Sequence, residues 1–561
     1  MKKLLLFLSV SCVLSTGYSQ SQRLVLLEEF TSATCGPCVS ANSNFHTWQT
    51  QNPDKFTSIY YHVNWPAAGD PMNLANASEN GARVSYYGVT YVPESNLDGN
   101  YYNGSATGWN MTSINNRYAA PSPFEIQVQH QLSTGEDSVF STMLIKCTQD
   151  VTASMTAHNV IIEKWIHFNS APCASSNGER DFYNVMKKML PGSSGTTIPS
   201  MVAGDYILLE GAWKFGTVYD KTQIAAVGFV QNKSTKEIYQ TANSSANALI
   251  LPYNTDLQVM DIINVPAKTC KNKITPSVII RNNGNNPITS MTIKYRVNDG
   301  TVSSYTWNGS LTSMKKTTVA LPEYSFVILP QNVLTIYTTS PNNISDQYPK
   351  NDTVFFSISP SAISTNEIKL LLRTNNAPQE TTWDIKNSLG IAVASGGPYS
   401  VANQVIQLTN TLPQADCYTF TIYDAGGNGI CCNNGTGVYE ISSAGTIIKQ
   451  GGQFGSFEST EFWMEAPTSV NEVNSTNQLN VYPNPFDGSA KVSFYLSNSS
   501  SNVTMNLYSA FGQLVNSRSL GAQTSGQHDT MLDGSSLKPG VYILQMNTGS
   551  AIYSRKVSVI R

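Results

Sequence analysis

Charge is scarce in this sequence of 561 residues: Asp, Glu, Lys and Arg make up 13% of it, and 34 Lys+Arg against 37 Asp+Glu leave a formal net charge of −3. With no basic excess, neither a nucleic-acid backbone nor an anionic membrane is expected as its main partner. Long apolar runs are missing after the first residues, and nothing there approaches the roughly 20 apolar residues a transmembrane helix needs. There is no second C-x-x-C and the histidines are scattered, which disfavours a structural zinc site. No nucleophile–histidine–acid motif supports a hydrolase.

What is plentiful is Asn, Ser, Thr, Gly and Tyr, a composition that suits β-rich domains with neutral polar surfaces. The length is too great for one core and calls for about four or five compact units. At the start, Met1-Lys2-Lys3, the apolar Leu4 to Leu14 and the small and polar Ser15 to Gln20 form the three regions of a signal peptide, expected over residues 1–19. Cys12 lies within that apolar run and lacks a lipobox before it. Of the nine cysteines, the other eight are Cys35, Cys38, Cys147, Cys173, Cys270, Cys417, Cys431 and Cys432. In an oxidising compartment they can form disulfides, but only Cys35 and Cys38 are evident partners from spacing.

Periodicity divides the chain. An apolar run at Leu24 to Phe30, a helical stretch near Val39 to Gln51 and a strand at Phe56 to Val63 read as a βαβ opening. A helical segment, Met72 to Tyr87, leads into Val89-Thr90-Tyr91-Val92-Pro93, and a strand and turn follow at Glu94 to Gly99. Strands then recur at Phe124 to Leu132, Ser141 to Cys147, His158 to Ile166 and Ala225 to Gln231, interrupted by an expected helix at Arg180 to Leu190. Short strands with Asn/Gly turns fill Leu251 to Pro360, the pattern of an immunoglobulin-like sandwich. Ile368 to Pro467 and Leu479 to Arg561 are further all-β segments.

Cys35-Gly36-Pro37-Cys38 follows a buried-looking strand and opens a helix. A thiol there faces unpaired backbone N–H groups and the positive end of the helix dipole, which favours its thiolate. Cys35 is expected to be the exposed attacker and Cys38 the buried resolving thiol; Pro37 costs little at an early helical position. The string Glu29 to Cys38 resembles the thioredoxin active-site segment, and Val92-Pro93 resembles that family's cis-proline turn. The resemblance implies catalytic roles for Cys35, Cys38, Glu29 and Pro93, with Glu29 as proton acceptor and protein thiols or disulfides as substrates. Thr34 stands where the family usually has an aromatic residue. The competing readings are a permanent local disulfide and a fold kept as a binding scaffold.

Tyr60 to Pro66, Asp70-Pro71-Met72, Asp181 to Met186, Leu190-Pro191-Gly192 and Phe229 to Asn232 are similar to the outer-membrane-protein-28-related family, thioredoxin-like surface proteins of Bacteroidota. That likeness extends over roughly residues 23–247, within which the change of pattern separates an expected thioredoxin-like domain at 23–119 from a β-rich domain of the same family at 120–248. His62 reads as a packing or surface residue rather than an acid–base group.

The segment 249–360 shows no catalytic cluster and reads as a spacer or adhesive sandwich. The segment 368–467, with Glu380-Thr381-Thr382-Trp383 and Asp424 to Cys432, resembles a β-sandwich accessory module of secreted bacterial hydrolases. Asp424, Asn428 and nearby carbonyls are candidate Ca²⁺ ligands; the bland alternative is a Gly/Asn turn stapled by a disulfide. No organic cofactor is implied.

Near the end, Val481-Tyr482-Pro483-Asn484-Pro485-Phe486, Leu507 to Gly512, Leu537 to Ile543 and Lys556 resemble, in order and position, the type A sorting domain of the type IX secretion system, expected over 478–561. Its prolines fit a strand entry and Gly540 a turn into the last hairpin. The expected fold is therefore multidomain and mainly β: an α/β thioredoxin-like domain followed by several β-sandwich domains, the last an Ig-like sorting domain. The resemblance implies export through the type IX machinery to the medium or outer cell surface. Two functions remain open: thiol–disulfide exchange, and surface binding or adhesion.

Overall fold

The computed structural model describes residues 20–465, 479–549 and 551–560. The expected signal peptide and the polar stretch before the last segment lie outside the described residues. The chain is mainly β and forms two compact units: residues up to 265 with 275–322 and 334–356, and residues 266–274, 323–333 and 357–561. The segment expected as one sandwich, 249–360, contributes to both.

The first unit opens with β1 (Val25–Thr31), α1 (Gly36–Gln51), β2 (Phe56–His62), α2 (Pro71–Ala75), α3 (Ala77–Tyr87), β3 (Glu94–Leu97), β4 (Tyr102–Ser105) and α4 (Met111–Tyr118). Strand β1 pairs in parallel with β2 and antiparallel with β3, which pairs antiparallel with β4. Alternation along β1 sends Val25 and Leu27 into the cluster with Ala41 and Phe45 of α1, and Leu26 and Phe30 into the cluster with Val84 and Tyr87 of α3. Every residue of β1 and β2 is buried, as expected of parallel strands covered by helices on both faces.

The remaining strands are β5 (Phe124–Leu132), β6 (Ser138–Cys147), β7 (Met155–His167), β8 (Asp181–Leu190), β9 (Thr196–Ile198), β10 (Tyr206–Lys214), β11 (Ile224–Asn232) and β12 (Ile238–Ser245). They continue the same sheet in the order β10-β6-β5-β12-β11-β7-β8-β2-β1-β3-β4, with β9 on β7. The two segments divided at residue 119 by sequence thus share one sheet.

Two expectations fail here for identifiable reasons. Within the segment expected as a helix, Arg180 to Leu190, residues Asp181–Leu190 are a strand. Phe182, Val185, Met186, Met189 and Leu190 have helical spacing, but Asn184 at φ 45° and a bulge at Lys187 each interrupt the alternation. Phe182 and Val185 consequently reach one cluster, Met186 and Met189 another, and Leu190 a third. The helical segment 72–87 is two helices. Asn76 leaves helical conformation (φ −157°, ψ 63°), and its side chain accepts the Glu79 N–H to cap α3.

In the second unit, Ala362–Ser364, Phe457–Met464, Asp416–Asp424, Thr381–Lys386 and Ala392–Gly396 form one sheet. Val405–Thr411, Glu367–Arg373, Val438–Ser443 and Thr446–Gly451 form another. Their shared core includes Trp383, Tyr418, Phe420, Tyr439 and Phe462. The last segment is a two-sheet sandwich around Phe486, Phe494, Leu507 and Leu544. Its prolines follow a strand, Leu479–Tyr482, instead of entering one. Phe486 then bonds the final strand through its own N–H to Ser558 O (2.9 Å) and its carbonyl to Ile560 N–H (2.9 Å), so neither proline is asked for a ladder bond.

Candidate functional site

Cys35 caps the N-terminus of α1 in extended conformation (φ −96°, ψ 111°), and its Sγ accepts the Cys38 N–H at 3.2 Å. Pro37 falls in the first turn, where its missing N–H has no intrahelical partner. Cys35 and Cys38 are joined in a disulfide. Cys35 Sγ lies 3.6 Å from the carbonyl of Val92, whose bond to Pro93 is cis. On the strand before them, Glu29 sits on the α1 face of β1 directly opposite Ser95, whose hydroxyl bonds Glu29 Oε2. Glu29 Oε1 is buried with no partner. Burial raises this carboxyl well above the usual carboxylate range; the Ser95 bond opposes that and the nearby Glu94 charge adds to it. Its chain neighbour Glu28, on the other face, is paired with Arg83 at 2.6 Å. Cys35 and its bridge to Cys38 therefore meet the Val92-Pro93 turn, and Glu29 lies on the strand that leads into the cysteines, opposite Ser95 two residues after Pro93.

Cys35 is not an exposed attacker: it is 1% exposed, and Cys38 is fully buried. The connection between β7 and β8 docks on the cysteine turn. Within it, Asn177 donates its backbone N–H to Ala33 O (2.8 Å) and its side-chain amide to Cys35 O (2.8 Å). Glu179 in the same connection accepts from the Asn42 amide of α1 at 3.1 Å. These contacts lie some 140 positions along the chain from the cysteines, and sequence reading missed them; the only local hint is the Asn177-Gly178 turn.

The other side of the turn is held by Asp70. Its Oδ2 accepts the Ala33 N–H at 2.6 Å and lies 2.8 Å from His62 Nδ1, while Oδ1 accepts the Met72 and Asn73 N–H groups that begin α2. Burial works against this charge, but His62 and the backbone donors outweigh it and hold the carboxyl below its usual range. His62 is thus a buried structural partner. Thr34, in the place of the expected aromatic, is tied to Ala67 O at 3.0 Å and to Ser32.

Elsewhere, Cys270 pairs with Cys417 and Cys431 with Cys432, whereas Cys147 and Cys173 are free. The 424–429 turn is consequently not stapled by a disulfide across it. Asp424 Oδ2 closes it by accepting the N–H groups of Asn428 (3.0 Å) and Gly429 (3.1 Å). Cys270, Cys417 and Glu461 also lie together, but the two sulfurs are consumed by their bridge.

Residues 480–560 match the family described as the secretion system C-terminal sorting domain. The protein is exported to the cell surface or the medium. Type IX secretion carries it there, so its handling by that machinery follows from the same match. Among the described residues no helix is long and apolar enough to cross a membrane. No curated protein matches the chain. Among solved structures, HBP35 of Porphyromonas gingivalis is similar at 13% identity and TM-score 0.34, over 60% of this chain and 98% of that one. The CARDB domain of the PF1109 protein from Pyrococcus furiosus is similar at 17% identity and TM-score 0.17, over 20% of this chain and 94% of that one.

Proposed function

We propose that the exported protein carries a thioredoxin-like head that exchanges disulfides with protein thiols at the cell surface. The observation that carries this reading is the Cys35–Cys38 disulfide at a helix N-terminus against the Val92-Pro93 turn, with the buried carboxyl of Glu29 on the strand that leads into it. The strand order β2-β1-β3-β4, with α1 after β1 and α4 after β4, and the sequence likeness over residues 23–247 support it. In the exchange, a substrate thiolate attacks Cys35 Sγ, the Cys35–Cys38 bond breaks, and its electron pair leaves on the Cys38 sulfur. Glu29, whose carboxyl burial raises well above the usual carboxylate range, is the proposed source of the proton that Cys38 takes up. A second substrate thiolate attacks the mixed disulfide and releases Cys35; the substrate is oxidised and the protein reduced. Access requires the 168–180 connection to move away.

A second reading, a surface binding protein in which the head is a rigid platform, draws on the 1% exposure of Cys35. Equilibration of the full chain in glutathione redox buffers, with insulin reduction and a Cys35→Ser control, separates the two. A defined potential with turnover that the control abolishes supports exchange. A bridge that stays closed in native protein, or turnover unchanged in the control, supports the platform.

A further inference from the structure

The strand Asp416–Asp424 ends on a residue whose antiparallel partner is Thr381, the first of the strand Thr381–Lys386. Directly opposed residues of such a pair project from the same face, so the Asp424 carboxylate and Thr381 hydroxyl are aimed together. They are 2% and 0% exposed. Next to them, the Ala425 N–H donates to Glu380 O at 3.0 Å, which holds residue 380 against the turn. The Glu380 carboxylate folds across it so closely that a Cβ on Gly426 would lie 2.5 Å from Oε2. A side chain at 426 would push that carboxylate aside.

The turn uses one oxygen of Asp424 and leaves the other. Asp424 Oδ1, Glu380 Oε2, Thr381 Oγ1 and Asn428 Oδ1 are all buried without a hydrogen-bond partner. A buried polar atom left unpaired costs about 1–3 kcal/mol, more when charged, so four of them in one turn and its facing strand call for an occupant. Two carboxylates and two neutral oxygens match a divalent hard cation. Absence of nitrogen and sulfur donors disfavours zinc, and a turn built on Gly426, Gly427 and Gly429 suits the flexible shell of calcium better than the rigid octahedron of magnesium. Ala425, Gly426 and Gly427 are exposed and offer a path in from solvent.

We propose that this turn binds one Ca²⁺, held by Asp424 and Glu380 with Asn428 and Thr381. Sequence spacing pointed to Asp424 and Asn428; the residue just before the facing strand, Glu380, adds the second charge. The site is independent of the cysteine pair. Its test is calorimetric titration of the full, chelator-stripped chain with CaCl₂, with MgCl₂ as control, beside thermal melts. Calcium is expected to bind with a Kd on the order of 10⁻⁴–10⁻³ M, as in extracellular modules, and to raise the melting temperature. Glu380→Gln, whose carboxylate makes no hydrogen bond within the turn, is expected to fold normally and bind about tenfold more weakly or worse. Asp424→Asn is expected to abolish binding. No calcium heat and no shift in melting would mean that water fills the turn and would overturn the proposal. Undiminished binding in Glu380→Gln would place the ion elsewhere and overturn it equally, even if Asp424→Asn fails to fold.

Discussion

The side-chain amide of Asn177 donates a 2.8 Å hydrogen bond to the carbonyl of Cys35, so a residue 142 positions downstream fixes the first residue of the Cys35–Cys38 disulfide. That bond belongs to the connection whose docking buries the disulfide, and it couples local opening of a loop to accessibility of the sulfur.

Loss of this bond should therefore be read in the rate of reduction. Asn177→Ala is expected to speed reduction of Cys35–Cys38 by dithiothreitol about fivefold, the effect of about 1 kcal/mol less holding the loop closed. Stopped-flow or quench-labelling kinetics measure it. An unchanged rate would mean that the loop opens without breaking this contact.

Glu29 should impose a pH dependence on stability. Its carboxyl is raised by burial, so its contribution is complete below the unfolded carboxyl value, about 4.3, and is lost as pH rises through the higher folded value. Glu29→Gln is expected to be more stable than the native protein at neutral pH and to lack that slope, while its thiol exchange slows. Urea unfolding across a pH series reports the first two effects and an exchange assay the third.

Cys147 should act at higher pH. Burial pushes its thiol up to about 11, against about 8.5 for an unfolded cysteine. Stability from this group is present below about pH 8.5 and falls between there and about 11, a slope absent in Cys147→Ala. In native protein, iodoacetamide is expected to label the half-buried Cys173 and spare Cys147; mass spectrometry distinguishes them.

The sorting domain hangs on Phe486, 1% exposed and packed against Gly534, where a Cβ would lie 2.5 Å from its ring. Phe486→Ala is expected to cost about 3–5 kcal/mol and Gly534→Ala to destabilise by overpacking. Thermal melts measure both, and less protein at the cell surface should accompany them.

Much of the architecture is legible in short windows. Phe124–Leu132 alternates cleanly and is the strand it looks like, because one of its faces is core. Asp181–Leu190 misleads because a positive φ at Asn184 and a bulge at Lys187 give a strand the apolar spacing of a helix. The bulge belongs to the pairing with β7, and the Asn184 side chain bonds Gln49 and Ser58; no window of the sequence contains these partners. Similarly, Asp424 and Asn428 are visible in one Gly-rich string, whereas Thr381 joins them through strand pairing and Glu380 through the bond its carbonyl accepts from the Ala425 N–H.

By itself the sequence determined what depends on neighbours along the chain and on composition: cysteines at a helix start, the order of motifs that marks the tail for export, and a net charge close to zero. The tertiary structure decided which cysteines pair, that Cys35 is covered, and which carboxylates end up without a partner. The reason is physical. Helix capping and turn chemistry act over a few residues and are written in adjacent side chains, whereas burial and the shifts it causes require segments more than a hundred residues apart to close on one another.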